Sequence, residues 1–125
     1  MSRRIRVMIV ADHPIMLDGL RLAFARETDM QVVCEATDVF QVVQDFTFCQ
    51  PDVTIIDLQL PHGEGLRAVR RLRKIAAAAP IVVLTTYPGE AAAVSQMGPL
   101  FEISKTASSA EIMVIARTAA SAAAP

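Results

Sequence analysis

The sequence predicts a doubly wound α/β domain: a five-stranded parallel sheet, order 2-1-3-4-5, with helices on both faces. Short apolar runs alternate with helical patterns five times, the signature of repeated βα units. Runs such as Val53-Thr54-Ile55-Ile56 are β-branched at consecutive positions, as in strands buried on both faces. A chemistry-bearing residue ends or follows four of these runs: Asp12, Asp57, Thr85 and Lys105. With 125 residues, the chain is of one-domain size and can bury a real core.

The elements follow in order. Strands are expected near 5–11, 31–36, 52–57, 81–86 and 100–104. The first helix, about Pro14 to Glu27, sets Met16, Leu20 and Phe24 on the sheet side at i, i+4 and i+8, while Ile15, Asp18 and Leu22 point away. The second spans about Val39 to Phe48. The third begins after Gly65 and places Leu66, Val69, Leu72 and Ala76 on the sheet, opposite Arg67, Arg70, Arg71 and Lys74. A short, alanine-rich fourth helix is expected from about Glu90 to Met97. The last opens with Ser108-Ser109-Ala110-Glu111, a capping-box spacing, and runs to about Ala122. Its Ile112-Met113-Val114-Ile115 surrounds much of the helix with apolar groups, with Met113 and Val114 expected outward, as an interface with a second copy or a following domain. These elements make up one domain, residues 1–121, and 122–125 reads as the start of a linker.

Composition narrows the function. No tryptophan and one tyrosine leave little for stacking on flavins or bases, and a net charge of -1 gives no general attraction to nucleic acid or anionic membrane. No apolar stretch approaches the length of a membrane span, which favours the cytoplasm. Cys34 and Cys49 lack metal-ligand spacing and read as buried, reduced, structural thiols.

In order 2-1-3-4-5 the switch point lies between the first and third strands, so Asp12 and Asp57 become neighbours at the sheet's carboxyl edge. Two carboxylates, a hydroxyl and an ammonium converging there suit a metal ion and a phosphoryl group. Bland readings stand beside this: Asp12 suits an N-cap before His13-Pro14, and Asp57 suits a turn before Pro61.

These residues resemble the receiver domain of two-component response regulators, most closely the NarL/FixJ (LuxR-type output) group, whose fold is flavodoxin-like (CheY-like). The likeness rests on Ile5-Arg6-Val7 leading into Asp12-His13-Pro14, on Asp57-Leu58-Gln59-Leu60-Pro61 with Gly65, on Leu84-Thr85-Thr86-Tyr87 and on Lys105. The resemblance implies that Asp57 accepts a phosphoryl group from a sensor histidine kinase. It implies Mg²⁺ held by Asp12, Asp57 and the backbone carbonyl of Gln59, with Thr85 and Lys105 contacting phosphoryl oxygens. It further implies kinase docking around Ile15, Asp18 and Leu22, a homodimer, and DNA binding through a C-terminal domain absent from this chain.

Three positions depart from the family pattern. Ala11 stands where an acidic residue is usual, which predicts weak Mg²⁺ binding. Glu102 occupies the place of the aromatic switch residue, with Phe101 on the other face of the strand. The span from Thr85 to Lys105 is about two residues short, in the region of the fourth helix. A degenerate receiver that signals as a phosphorylation-independent interaction module is the alternative. A haloacid-dehalogenase-type phosphatase would need an aspartate where Gln59 stands, and a flavodoxin a phosphate-binding first loop instead of Asp12-His13-Pro14.

Overall fold

The computed structural model describes residues 3–122. In chain order the elements are β1 (Ile5–Val10), α1 (Pro14–Ala25), β2 (Met30–Ala36), α2 (Val39–Cys49), β3 (Val53–Asp57), a single 3-10 turn (Pro61–Gly63), α3 (Glu64–Ile75), β4 (Ile81–Thr85), β5 (Leu100–Ser104) and α4 (Ser109–Ala122). The strands form one parallel sheet in the expected order β2-β1-β3-β4-β5. The linker expected at 122–125 lies outside the described residues from 123 onward, and Ala122 is the last residue of α4.

Because β1, β3 and β4 are apolar at nearly every position, each feeds both layers of the core. Val7, Ile9, Val53, Ile55, Val82 and Leu84 pack beneath α1 and α4, while Met8, Val10, Ile56, Ile81 and Val83 pack beneath α2 and α3. Full burial of such side chains contributes about 1.5–3 kcal/mol each, which makes these three strands the centre of stability. The Thr54 hydroxyl is buried in β3 without a hydrogen-bond partner. Thr54→Val keeps the shape and removes the unpaired group, so urea denaturation should show a gain of about 1 kcal/mol.

The ends of the helices are set locally. Asp38 accepts from the Gln41 backbone N–H at 2.9 Å and opens α2. At α4 the expected capping box forms: Ser108 Oγ accepts from Glu111 N at 3.1 Å, and Glu111 Oε1 accepts from Ser108 N at 3.0 Å. The Ser108 backbone N–H, with the Ser108 side chain beside it, favours the charged form of Glu111 and lowers its carboxyl pKa. At α1 the N-cap is His13, with no side-chain cap, so Asp12 is not spent on that role.

Several expectations need correction. The chain between β4 and β5 contains no α-helix over 90–97; it turns through i→i+3 bonds, with Ala92 N on Gly89 O at 3.0 Å, Val94 N on Ala91 O at 3.0 Å and Met97 N on Val94 O at 3.1 Å. Pro88-Gly89 and Gly98-Pro99 bracket this stretch, and so short a segment gains little from helix propagation. Its two apolar anchors, Ala91 and Val94, are three apart and both buried, a spacing that tight turns satisfy. Helix α3 starts at Glu64, before Gly65, and Ala76 forms its C-cap. Met113 is not an outward residue: it is buried in the α1/α4 layer, and Val114 alone of the pair is exposed. A helix resting against both a sheet and α1 absorbs a wider apolar arc than one sheet contact would. Cys34 and Cys49 are half-buried rather than buried.

Arg73 is a further departure. It lies among arginines that face solvent, yet it is buried beneath the β4–β5 connection. Its guanidinium donates to the carbonyls of Ala79 and Pro99, each at 2.5 Å, and of Ala77 at 3.3 Å. These carbonyls lie just before β4 and β5, so one side chain ties together the entries of two neighbouring strands.

Candidate functional site

The strand register brings the expected residues to one edge. Val10 pairs with Ile56, which sets Ala11 level with Asp57 and Asp12 one residue farther out. Asp57 pairs with Leu84, so Thr85 is one step beyond it on the adjacent strand. Lys105 follows β5, and its backbone N–H donates to Thr85 O at 2.9 Å. Four crossover connections thus deliver four side chains from distant parts of the chain to a single crevice.

Asp57 is 2% exposed, and its carboxylate meets Lys105 Nζ at 3.2 Å to Oδ1 and 3.3 Å to Oδ2. Gln59 N also donates to Asp57 Oδ1 at 2.9 Å. This bond closes the turn that the bland reading anticipated, and the same carboxylate carries the ion pair. A buried carboxylate is tolerable only with such compensation, and here it comes from one full charge and one amide. Thr85 is buried beside it on β4, whereas Asp12 is exposed and forms no ion pair among the described residues. No group of three or more His, Cys, Asp or Glu side chains placed to hold a metal ion occurs among the described residues.

Glu90, which the sequence reading missed, sits at the mouth of the crevice. Its Oε1 accepts from Thr86 N at 2.6 Å and from Tyr87 N, and its Oε2 accepts from Gln59 Nε2. The carboxylate therefore joins the turn after β3 to the chain leaving β4. Tyr87 and Glu90 are three apart, the spacing at which a carboxylate reaches back to a turn's first N–H, and that signal was available in the sequence. Glu102 is exposed and accepts from Gly89 N at 3.2 Å, while Phe101 packs into the α1/α4 layer.

The other expected surfaces lie on α1, α3 and α4, and Ile15 on α1 lines a pocket that Lys105 also lines. Ile15 is 85% and Leu22 62% exposed on α1, and Asp18 pairs with Arg21 at 2.7 Å. Val114 is exposed on α4 next to Ile103 and Ile115. Arg67, Arg70, Arg71 and Lys74 face solvent on α3, as expected.

Comparison with known proteins agrees with this fold. The family model for the response regulator receiver domain matches residues 7–119. The transcriptional regulatory protein LiaR of Bacillus subtilis is 29% identical over 117 residues, covering 92% of this chain and 56% of that protein. The oxygen regulatory protein NreC of Staphylococcus carnosus is 34% identical over 86 residues, 68% of this chain and 40% of that protein. This chain thus spans about half or less of the length of these relatives. Among solved structures, a LuxR-family two-component response regulator from Aurantimonas superposes with a TM-score of 0.85 at 30% identity, covering 97% of this chain and 87% of that one. The chain belongs to the response regulator receiver domain family, and its relatives are regulators of the NarL/LuxR type.

Proposed function

We propose that Asp57 is a phosphoacceptor, charged by a sensor histidine kinase, and that the added charge switches a C-terminal DNA-binding output domain outside this chain. The supporting observation is the buried Asp57 carboxylate held by Lys105 at 3.2 Å at the carboxyl edge of the sheet. A carboxylate oxygen attacks phosphorus, the donor's bond to phosphorus breaks, and an acyl phosphate forms on Asp57. Lys105 then stands opposite a dianion, and the Thr85 hydroxyl is available to donate to one of its oxygens. Receiver domains are regulatory, and this self-phosphorylation and its reversal are the only chemistry assigned to the chain.

Receiver domains generally bind Mg²⁺ at this acidic pocket. Two carboxylates, Asp12 and Asp57, with the Gln59 carbonyl match the oxygen donors that Mg²⁺ takes when it keeps several waters. The ion, when bound, neutralises charge on the phosphoryl oxygens. The apolar Ala11, fully buried at this crevice, removes an attraction and makes the binding weak.

Kinase docking falls to the exposed Ile15, Asp18 and Leu22, and a homodimer to the face around Val114. The cytoplasm is the compartment of such a partner set, and no helix among the described residues is long and apolar enough to cross a membrane. Incubation with acetyl phosphate and Mg²⁺ should add one phosphoryl increment to the intact mass, and Asp57→Asn should abolish it, because an amide is no nucleophile toward phosphorus. Absence of that increment in the wild type, with small donors and kinases alike, replaces this reading with the phosphorylation-independent interaction module. Ala11 and Glu102 favour that second reading.

A further inference from the structure

Strand β2 carries one more residue than β1 can match. Val7 pairs with Val32 and Met8 with Cys34, which leaves Val33 as a bulge. In an unbroken strand, residues two apart share a face. Here Met30 and Val32 pack with the α1/α4 layer, whereas Cys34 and Ala36 pack with the α2/α3 layer. The bulge has turned the second half of the strand over, and with it the Cys34 thiol toward α2.

Helix α2 ends at Cys49, whose Sγ donates to the carbonyl of Val33 at 3.8 Å. By peptide geometry that oxygen lies about 2.8 Å from the Cys34 Cα, so the Cys49 sulfur is within roughly 7 Å of that Cα. The two thiols are close enough for the Cys49 side chain to act on Cys34 directly. Both residues are half-buried, so a small oxidant has access while the surrounding elements are already in place.

We propose that Cys34 and Cys49 form a reversible intramolecular disulfide, a modification site separate from the phosphoacceptor crevice, with a hydroperoxide as the oxidant. Burial and the adjacent Cys49 thiol push the Cys34 thiol pKa up, which keeps Cys34 protonated and leaves the first attack to Cys49. The Cys49 sulfur, as thiolate, attacks one oxygen of the hydroperoxide, the O–O bond breaks, and the departing oxygen takes up the proton released by the Cys49 thiol and leaves as water (as the alcohol from an organic hydroperoxide), giving a sulfenic acid. The Cys34 sulfur then attacks the Cys49 sulfur, and the sulfenic hydroxyl leaves with the Cys34 proton as a second water. In sum the two thiols give up two electrons and two protons to the peroxide. The product staples the carboxyl end of α2 to β2, and the Cys49 thiol gives up its bond to Val33.

The test uses the purified, reduced domain treated with hydrogen peroxide. The intact mass should fall by two hydrogens and recover with dithiothreitol. No Lys or Arg lies between Arg26 and Arg67, so both cysteines share one tryptic peptide. Cleavage after Glu35 should instead yield two fragments that separate only on reduction. Cys34→Ser and Cys49→Ser should each lose the two-hydrogen decrease. Oxygen added at the cysteines without that decrease, a disulfide-linked dimer lacking the internal bond, or an unchanged mass would overturn the proposal. Each result is independent of whether Asp57 accepts phosphate.

Discussion

Arg73→Ala should lower the free energy of unfolding by about 3–5 kcal/mol, measured by urea denaturation with unchanged slope. The guanidinium donates to Ala77, Ala79 and Pro99, so its removal leaves three part-buried carbonyls short of a donor and a cavity where the buried side chain stood. Each charge-assisted bond of this kind is worth about 1.5–3 kcal/mol, and the three share one donor group, so their values do not simply add. Burial also pushes the Arg73 pKa down, a sign of the desolvation that the carbonyls offset. Arg73→Lys should recover only part of the loss, because an ammonium cannot reproduce the planar fork that spans two strand entries.

Gly65→Ala should be nearly as damaging, at about 3 kcal/mol or more by the same measurement. A Cβ at this position would stand 2.6 Å from Leu58 Cα and 2.7 Å from Leu58 O, both backbone atoms that cannot swing aside. Helix α3 would have to lift from the turn after β3, and that turn holds the Gln59 amide on Asp57. The variant should therefore lose phosphoryl uptake from acetyl phosphate in step with stability. Retained stability with normal uptake would mean that the close approach of α3 is dispensable.

The parallel sheet and its crevice were legible because the governing signals are local and strong. Largely apolar runs at β1, β3 and β4 have one good solution, and a polar residue at or just beyond the end of each run marks the same sheet edge. Other features depend on what lies opposite in space. Residues 90–97 show an apolar and alanine content suited to a helix, but the flanking Pro and Gly and the short length decide for tight turns. Arg73 sits beside Arg70, Arg71 and Lys74 in sequence, and only the carbonyls of a distant connection separate it from that solvated group. The reversal of faces inside β2 leaves no mark in Met30-Gln31-Val32-Val33-Cys34, since either alternation fits the residue types. Met113 was misplaced because periodicity gives an angle around a helix, not how many neighbours the helix has.

The chain between β4 and β5 differs from the rest of the domain in how its amides are protected. Its i→i+3 bonds close single turns in succession, so losing one does not require unzipping a long helix. Only Ala91 and Val94 anchor it in the core, and side-chain carboxylates, Glu90 and Glu102, supply much of its remaining attachment. In hydrogen exchange this stretch should open as its own low-energy unit, well before the strands on either side. An event at Asp57 that perturbs Glu90 therefore meets a part of the molecule that rearranges at little free-energy cost, while Arg73 keeps the base of the same connection closed.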